Sequence, residues 1–166
     1  MTANALFPTG LAISYGAWRA LPPFVIIVYY KYKYMNQPPL ILVVDDEENF
    51  REIFSIKLNS LGFRVETAED GRQAIQKAKN LKPDLILMDV RMPVMDGIEA
   101  ATKLKEDTTT KDIKVVFLTV LGESEADRQE IDKRLSKEIG AAGYIKKSDN
   151  LDVIIEQVKQ FFPKQP

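Results

Sequence analysis

The chain has 166 residues, of which 45% are hydrophobic and 28% charged, and its formal net charge is −1. This length suffices for one domain with its own core, and the balanced charge argues against a nucleic-acid surface held by general electrostatics. Since the sequence contains no cysteine and no histidine, disulfides, thiolate or imidazole metal sites, Ser-His-Asp catalysis and a phosphohistidine donor are excluded.

Residues 1–39 differ in composition from the rest of the chain. Residues 11–30 are mostly apolar but are interrupted by Arg19 and Pro22, whereas a membrane span needs about 20 apolar residues. An arginine at mid-span costs about 2.5–3.5 kcal/mol, so we do not expect a membrane anchor. The lysines follow the apolar run, which argues against a signal peptide. A disordered extension and a native start near Met35 are the favoured alternatives, and a membrane-associated segment is the third.

From Leu40 onward the pattern predicts alternating strands and helices. The unbroken apolar run at 40–44 is typical of a buried parallel strand and ends on Asp45 and Asp46. A helix is predicted from Glu47 to Leu61, where Gly62 ends it. We expect this helix to bury an apolar stripe formed by Phe50, Ile53, Phe54, Leu58 and Leu61. The alternating segment at 63–67 is typical of an edge strand.

The remaining predicted elements continue this alternation. They are a helix at 72–81, a strand at 84–88, a helix at 98–106, a strand at 113–118, a long charged helix at 123–139, a strand at 143–146 and a helix at 150–162. Successive βα units predict an α/β domain at 40–163, followed by a tail at 164–166, with a doubly wound five-stranded parallel sheet and helices on both faces. The short second strand suits an edge, which favours the flavodoxin-like order 2-1-3-4-5.

Polar side chains stand where these strands end. The predicted order brings Asp45, Asp46 and Asp89 to one edge of the sheet. Three carboxylates so close repel one another, and a hard divalent cation with oxygen ligands, Mg²⁺, fits them best. Thr119 and Lys147 add a hydroxyl and an ammonium at the same edge. Such groups can bind the oxygens of a phosphoryl group while a carboxylate acts as the nucleophile.

Each of these residues has a purely structural explanation when it is taken singly. An aspartate after a strand is often only a helix N-cap, and Asp46 alone would supply one. Thr119 and Lys147 are of types that are commonly solvated at strand ends. Their joint placement at one edge of a single sheet is what favours a phosphoryl-transfer site.

Four segments resemble, in the correct order, the receiver domain of two-component response regulators. They are residues 43–47, 88–97, 117–119 and 143–147. The resemblance implies that Asp89 accepts a phosphoryl group from a sensor histidine kinase or a histidine phosphotransfer protein. It also implies that Mg²⁺ is held by Asp45, Asp46, Asp89 and the backbone carbonyl of Arg91.

The same resemblance assigns roles to three further residues. Thr119 and Lys147 would bind the phosphoryl oxygens, and Tyr144 would be the switch aromatic whose rotamer follows Thr119. By pattern alone, Tyr144 is equally a half-buried aromatic of an edge strand. Phosphorylation would then shift the face formed by the predicted fourth helix, fifth strand and fifth helix, and so control binding of a downstream protein target.

The expected protein is therefore a stand-alone, cytoplasmic phosphorylation switch of a two-component system or phosphorelay. It would assist only its own phosphorylation and dephosphorylation, would not otherwise be an enzyme, and would bind neither nucleic acid nor membrane.

Three features depart from the family pattern. Ser148 follows the lysine where the family usually has a cis proline, and a cis bond before a non-proline residue costs about 2.5–4 kcal/mol. Val120 stands where a small residue is usual. The segment between Thr119 and Tyr144 is longer than usual by more than a helical turn of roughly 4 residues.

Two alternatives follow from these observations. One is a phosphorylation-independent receiver-like module that binds proteins, which Ser148 and Val120 favour. The other is a phosphatase of the haloacid-dehalogenase type, which also uses an aspartyl nucleophile on a doubly wound sheet. Its motif requires a second aspartate two residues after the first, and Arg91 occupies that position.

Overall fold

A computed structural model describes residues 37–119, 139–147 and 149–162, together with residues 5, 6, 12, 13 and 22. The chain divides into two compact units, Met1–Pro38 and Pro39–Pro166. In the first unit, two short strands, Ala5–Leu6 and Ala12–Ile13, pair antiparallel. Among the helices described, none is both long enough and apolar enough to cross a bilayer. Arg19 and Met35, on which the expectations for the first 39 residues rest, lie outside the described residues.

The second unit is built on a five-stranded parallel sheet. Its strands are β1 (Leu40–Val44), β2 (Arg64–Ala68), β3 (Leu85–Asp89), β4 (Lys114–Thr119) and β5 (Gly143–Lys146). They lie in the order β2-β1-β3-β4-β5, and every neighbouring pair is parallel. The predicted fold class and strand order are confirmed. In this order β1 and β3 are adjacent, so their carboxyl ends open onto one crevice.

The described helices cover both faces of this sheet. They are α1 (Glu48–Ser60), α2 (Gly71–Leu81), α3 (Gly97–Glu106) and the C-terminal helix (Leu151–Lys159). Three of these helices have an N-cap residue whose side chain accepts a hydrogen bond from a backbone N–H of the first turn. These N-caps are Asp70, Asp96 and Asn150. Of the predicted helix at 123–139, only Ile139 lies within the described residues, in helical conformation. Val120 and Ser148 lie outside them.

Two apolar clusters fill the space between the sheet and its helices. On β1, Ile41 and Val43 face the cluster shared with α1 and the C-terminal helix, whereas Leu42 and Val44 face the cluster shared with α2 and α3. Since successive side chains of a strand point to opposite faces, a strand covered on both sides has no polar face. This explains why β1 and β3 are buried throughout while the edge strand β2 alternates.

The apolar stripe expected on α1 is narrower than predicted. Phe54 and Leu58 are buried and Phe50 packs against the same cluster, but Ile53 is 53% exposed and Leu61 is 41% exposed. The inward face follows the i, i+4 spacing of 50, 54 and 58, and Ile53 lies about 100° away from Phe54 around the helix. Leu61 is the C-cap, beyond the last helical residue. The prediction that these two side chains are buried was wrong.

The neighbouring residues Phe54 and Ile53 provide a matched test of this packing. Phe54→Ala should lower the free energy of unfolding by about 3–5 kcal/mol, because it opens a cavity in the core. Ile53→Ala should change it by no more than about 0.5 kcal/mol, since the side chain is largely in water. Urea unfolding followed by far-ultraviolet circular dichroism measures both, and equal losses would contradict the assignment of the buried face.

Candidate functional site

Three carboxylates meet at the carboxyl ends of β1 and β3. Asp45 and Asp46 directly follow β1, and Asp89 is the last residue of β3. Because Val44 is paired with Met88 in this parallel ladder, the residues that come next stand side by side. One oxygen from each of the three carboxylates lies within 4.8 Å of the other two. The structure therefore brings together the three acidic residues that the sequence singled out.

Burial makes this concentration of negative charge unfavourable. Asp45 is fully buried and Asp89 is 7% exposed, whereas Asp46 is exposed. Burial, together with the neighbouring carboxylates of Asp45 and Asp46, raises the pKa of Asp89 to about 6, against the opposing effects of Lys147 and the Val90 amide. Burial likewise raises the pKa of Asp45. The buried carboxylates at this edge of the sheet therefore favour binding of a proton or a cation.

The ammonium of Lys147 lies against this cluster. Its Nζ is 2.9 Å from Oδ2 and 3.1 Å from Oδ1 of Asp45, and 2.7 Å from Oε1 of Glu47. It also lies 4.5 Å from the centroid of the Phe50 ring, a cation–π distance. The Lys147 backbone N–H donates to the Thr119 carbonyl at 2.8 Å, which fixes the backbone from which the side chain extends.

Opposing effects act on the charge state of Lys147. Burial lowers its pKa, but hydrogen bonds to Glu47 and Asp45 and the charges of Asp45 and Asp89 outweigh burial and raise it. The side chain, 9% exposed, is therefore a protonated ammonium at neutral pH. It supplies one positive charge to an edge that carries several carboxylates.

Thr119 lies on β4, which is paired with β3, and Tyr144 lies on β5, which is paired with β4. Thr119 is the last residue of β4 and is buried. It follows Leu118, which is paired with Asp89, so Thr119 stands at the same edge as the phosphoacceptor candidate. Tyr144 is half-buried in β5, where it is paired with Phe117 and packs against the cluster on the α2–α3 face.

The turn after Asp89 leads directly into α3. The Gly97 N–H donates to the Val90 carbonyl at 3.0 Å, and a Cβ at Gly97 would collide with the Asp89 carbonyl oxygen. Glycine is therefore required where this backbone passes close to the end of β3. Arg91 is an exposed residue of the turn, and Val94 has a positive φ of 69°, which is unusual for a β-branched residue.

The sequence analysis places Glu47 and Phe50 in the predicted helix at 47–61 but gives neither residue a role at the charged edge. Glu47 is the N-cap of α1, and its side chain makes no capping hydrogen bond to the helix. It is 67% exposed and binds Lys147 instead. The sequence offered one signal for this role. Serine, threonine, asparagine and aspartate are preferred at an N-cap, so a glutamate there is free to bind another partner. Phe50 is half-buried and stacks on Phe54, with 4.2 Å between ring centroids.

The donor set fits a hard divalent cation. The three side chains offer only carboxylate oxygens, which Mg²⁺ prefers. Oδ2 of Asp45 is buried and, apart from its ion pair with Lys147, has no hydrogen-bond partner in the described part of the chain. A buried carboxylate oxygen in that state is suited to a metal ligand.

The sequence matches the family model of the response regulator receiver domain over residues 41–159. Sporulation initiation phosphotransferase F of Bacillus subtilis (strain 168) is 32% identical over 123 residues, which cover 74% of this chain and 93% of that protein. The alkaline phosphatase synthesis transcriptional regulatory protein PhoP of the same organism is 40% identical over 107 residues, 64% of this chain and 41% of that protein. The chain spans less than half the length of several such transcriptional regulators.

Solved structures resemble the chain over about the same range. The chemotaxis response regulator CheY4 of Vibrio cholerae aligns with a TM-score of 0.66 at 32% identity, covering 75% of this chain and 99% of that one. The response regulator TrrA of Thermotoga maritima, solved as a complex with Mg²⁺-BeF, aligns with a TM-score of 0.61 at 35% identity, again over 75% and 99%.

The raised pKa of Asp89 predicts a pH-dependent cost to stability in the metal-free protein. A carboxyl whose pKa is higher in the folded state lowers stability as the pH rises from about 4 through 6. Asp89→Asn should therefore stabilise the protein by up to about 3 kcal/mol at pH 8, and by about half as much at pH 5. Urea unfolding in EDTA at both pH values measures this. Glu52→Gln, an exposed control, should show little effect, and a gain for Asp89→Asn that does not change with pH would contradict the account.

Proposed function

This chain belongs to the response regulator receiver domain family, and we propose that it is a phosphoacceptor switch whose acceptor is Asp89. The single observation that carries the proposal is the meeting of Asp45, Asp46 and Asp89 within 4.8 Å, with the Lys147 ammonium against them. A nucleophilic carboxylate beside cationic groups is what transfer of an anionic phosphoryl group to protein requires. The site lies at the topological switch point, where such sheets bind their ligands.

The proposed cofactor is Mg²⁺, held by Asp45, Asp46, Asp89 and the backbone carbonyl of Arg91. When bound, it would neutralise carboxylate charge and stabilise the phosphoryl oxygens. The buried Oδ2 of Asp45 supports the first of these ligands. The complex of TrrA with Mg²⁺-BeF supports the choice of ion, since that relative shares 35% of its sequence with this chain.

In the proposed transfer, a carboxylate oxygen of Asp89 attacks the phosphorus of a phosphohistidine on a sensor histidine kinase or a phosphotransfer protein. An O–P bond forms while the N–P bond breaks, and the electron pair of that bond remains on the imidazole, which takes up a proton from water. The Thr119 hydroxyl donates a hydrogen bond to one phosphoryl oxygen, and the Lys147 ammonium pairs with another. The chain assists this single transfer on itself and has no separate substrate.

The proposed output begins at Thr119 and Lys147. Thr119 ends β4 and Lys147 precedes the C-terminal helix, so movement of either side chain toward Asp89 would be transmitted to the element beside it. Tyr144 lies on β5, paired with Phe117 of β4, and would turn inward when Thr119 moves. The face formed by the region after β4, β5 and the C-terminal helix would then bind a downstream protein, with the whole cycle in the cytoplasm.

The acceptor assignment predicts the result of labelling with a small phosphodonor. Incubation with acetyl phosphate and Mg²⁺ should add one phosphoryl group, detected as a mass increase of the intact protein. Asp89→Asn should abolish it, because the nucleophile is lost. Asp112→Asn, at the opposite end of β4, should label as the wild type does. A phosphoryl group on the Asp89→Asn variant would overturn the assignment.

The metal assignment predicts stabilisation by Mg²⁺. A ligand present at 100 times its dissociation constant stabilises the folded state by about 2.7 kcal/mol, and we expect a gain of this size for the wild type. Asp46→Asn should remove most of it, since an exposed ligand is lost without disturbing the core. Thermal unfolding with Mg²⁺ or EDTA measures the difference, with Asp112→Asn as the control. An undiminished gain in Asp46→Asn would exclude Asp46 as a ligand.

A further inference from the structure

Lys147 is already engaged before any phosphoryl group arrives. Its Nζ is in contact with Asp45, Glu47 and the Phe50 ring, and the side chain is 9% exposed. If Lys147 is to pair with a phosphoryl oxygen on Asp89, as the proposed function on which this inference rests requires, at least one of these contacts must be given up. The free-energy cost of breaking that contact affects how readily Lys147 pairs with the phosphoryl group.

We propose that Glu47 is a positioning residue that retains Lys147 in the unphosphorylated state and competes with the phosphoryl group for its ammonium. In this arrangement the Glu47 carboxylate is the anion that the incoming phosphoryl oxygens displace. It therefore sets the threshold at which the switch responds to its phosphoryl donor.

The three contacts of Lys147 differ in how easily they are lost. Without metal, loss of Lys147 leaves the fully buried Asp45 as an uncompensated charge in the core, whereas Mg²⁺ bound there as proposed would compensate Asp45 and leave Glu47 as the anion that still holds Lys147. The Phe50 ring is fixed by its stacking on Phe54. Glu47 is 67% exposed, and water readily solvates its carboxylate once the ammonium leaves. Glu47 is thus the partner that yields at least cost.

The position of Glu47 separates this role from a role in folding. As the N-cap of α1 it makes no side-chain hydrogen bond to the helix, so its carboxylate serves no capping function that a substitution would remove. The backbone contributions of the residue do not depend on the side chain. Its N–H donates to Oδ1 of Asp45 at 3.0 Å, and its carbonyl accepts from the Arg51 N–H at 3.1 Å.

The inference is tested by titrating the full chain with beryllofluoride, a phosphoryl mimic, at saturating Mg²⁺, with the amide resonance of Val90 as the reporter. Glu47→Gln should lower the half-saturating concentration by about two- to five-fold, as expected for loss of an exposed ion pair. Glu48→Gln removes the same charge from the next residue, which is also exposed. This control should change the half-saturating concentration of beryllofluoride much less. Mg²⁺ affinity and the urea midpoint should be nearly unchanged in both.

A second variant separates contact from charge. Glu47→Asp keeps the charge but shortens the side chain by one methylene, so it should shift the half-saturating concentration in the same direction as Glu47→Gln. The inference is overturned if Glu48→Gln has the same effect as Glu47→Gln, or if Glu47→Asp behaves as the wild type while Glu47→Gln does not. If beryllofluoride causes no shift of the Val90 resonance in the wild type, the proposed function is contradicted, and this inference falls with it.

Discussion

Burial of two neighbouring carboxylates is the constraint on which this edge of the protein depends. Asp45 and Asp89 are both withdrawn from water at the ends of adjacent strands, and the Lys147 ammonium lies against Asp45. Burial is the largest cause that raises the pKa of Asp89 to about 6, and the charges of Asp45 and Asp46 add to it against the opposing charge of Lys147. Any added cation or covalently bound anion therefore changes the energetics of the whole edge.

The fold connects this local imbalance to distant elements. The charged groups end three different strands, and each strand continues into a loop or helix on the surface. The turn after Asp89 is held by Gly97 at the start of α3, whereas Lys147 is tied to β4 through the Thr119 carbonyl. These hydrogen bonds are the links through which the proposed change of charge at Asp89 would reach β4 and β5.

Much of this arrangement could be predicted because a parallel sheet aligns the ends of its strands. Unbroken apolar runs located β1, β3 and β4, and the order of the strands then brought Asp45 and Asp89 together. The ion pair between Glu47 and Lys147 could not be predicted, because it joins residues 100 positions apart through side-chain conformations that local patterns do not specify. The prediction that Ile53 is buried was wrong for a related reason, since hydrophobicity alone does not show how wide a face of the helix the sheet covers.

The most direct test of the account is an amide NMR titration with beryllofluoride, with and without Mg²⁺. We expect Mg²⁺-dependent shifts that begin around Asp89 and extend to Thr119, Tyr144 and the C-terminal helix, because Thr119 stands at the charged edge and the other two flank Lys147 along the chain. Metal binding at the carboxylates with no response to the phosphoryl mimic would contradict it. The domain would then be a receiver-like module that binds its partners without phosphorylation.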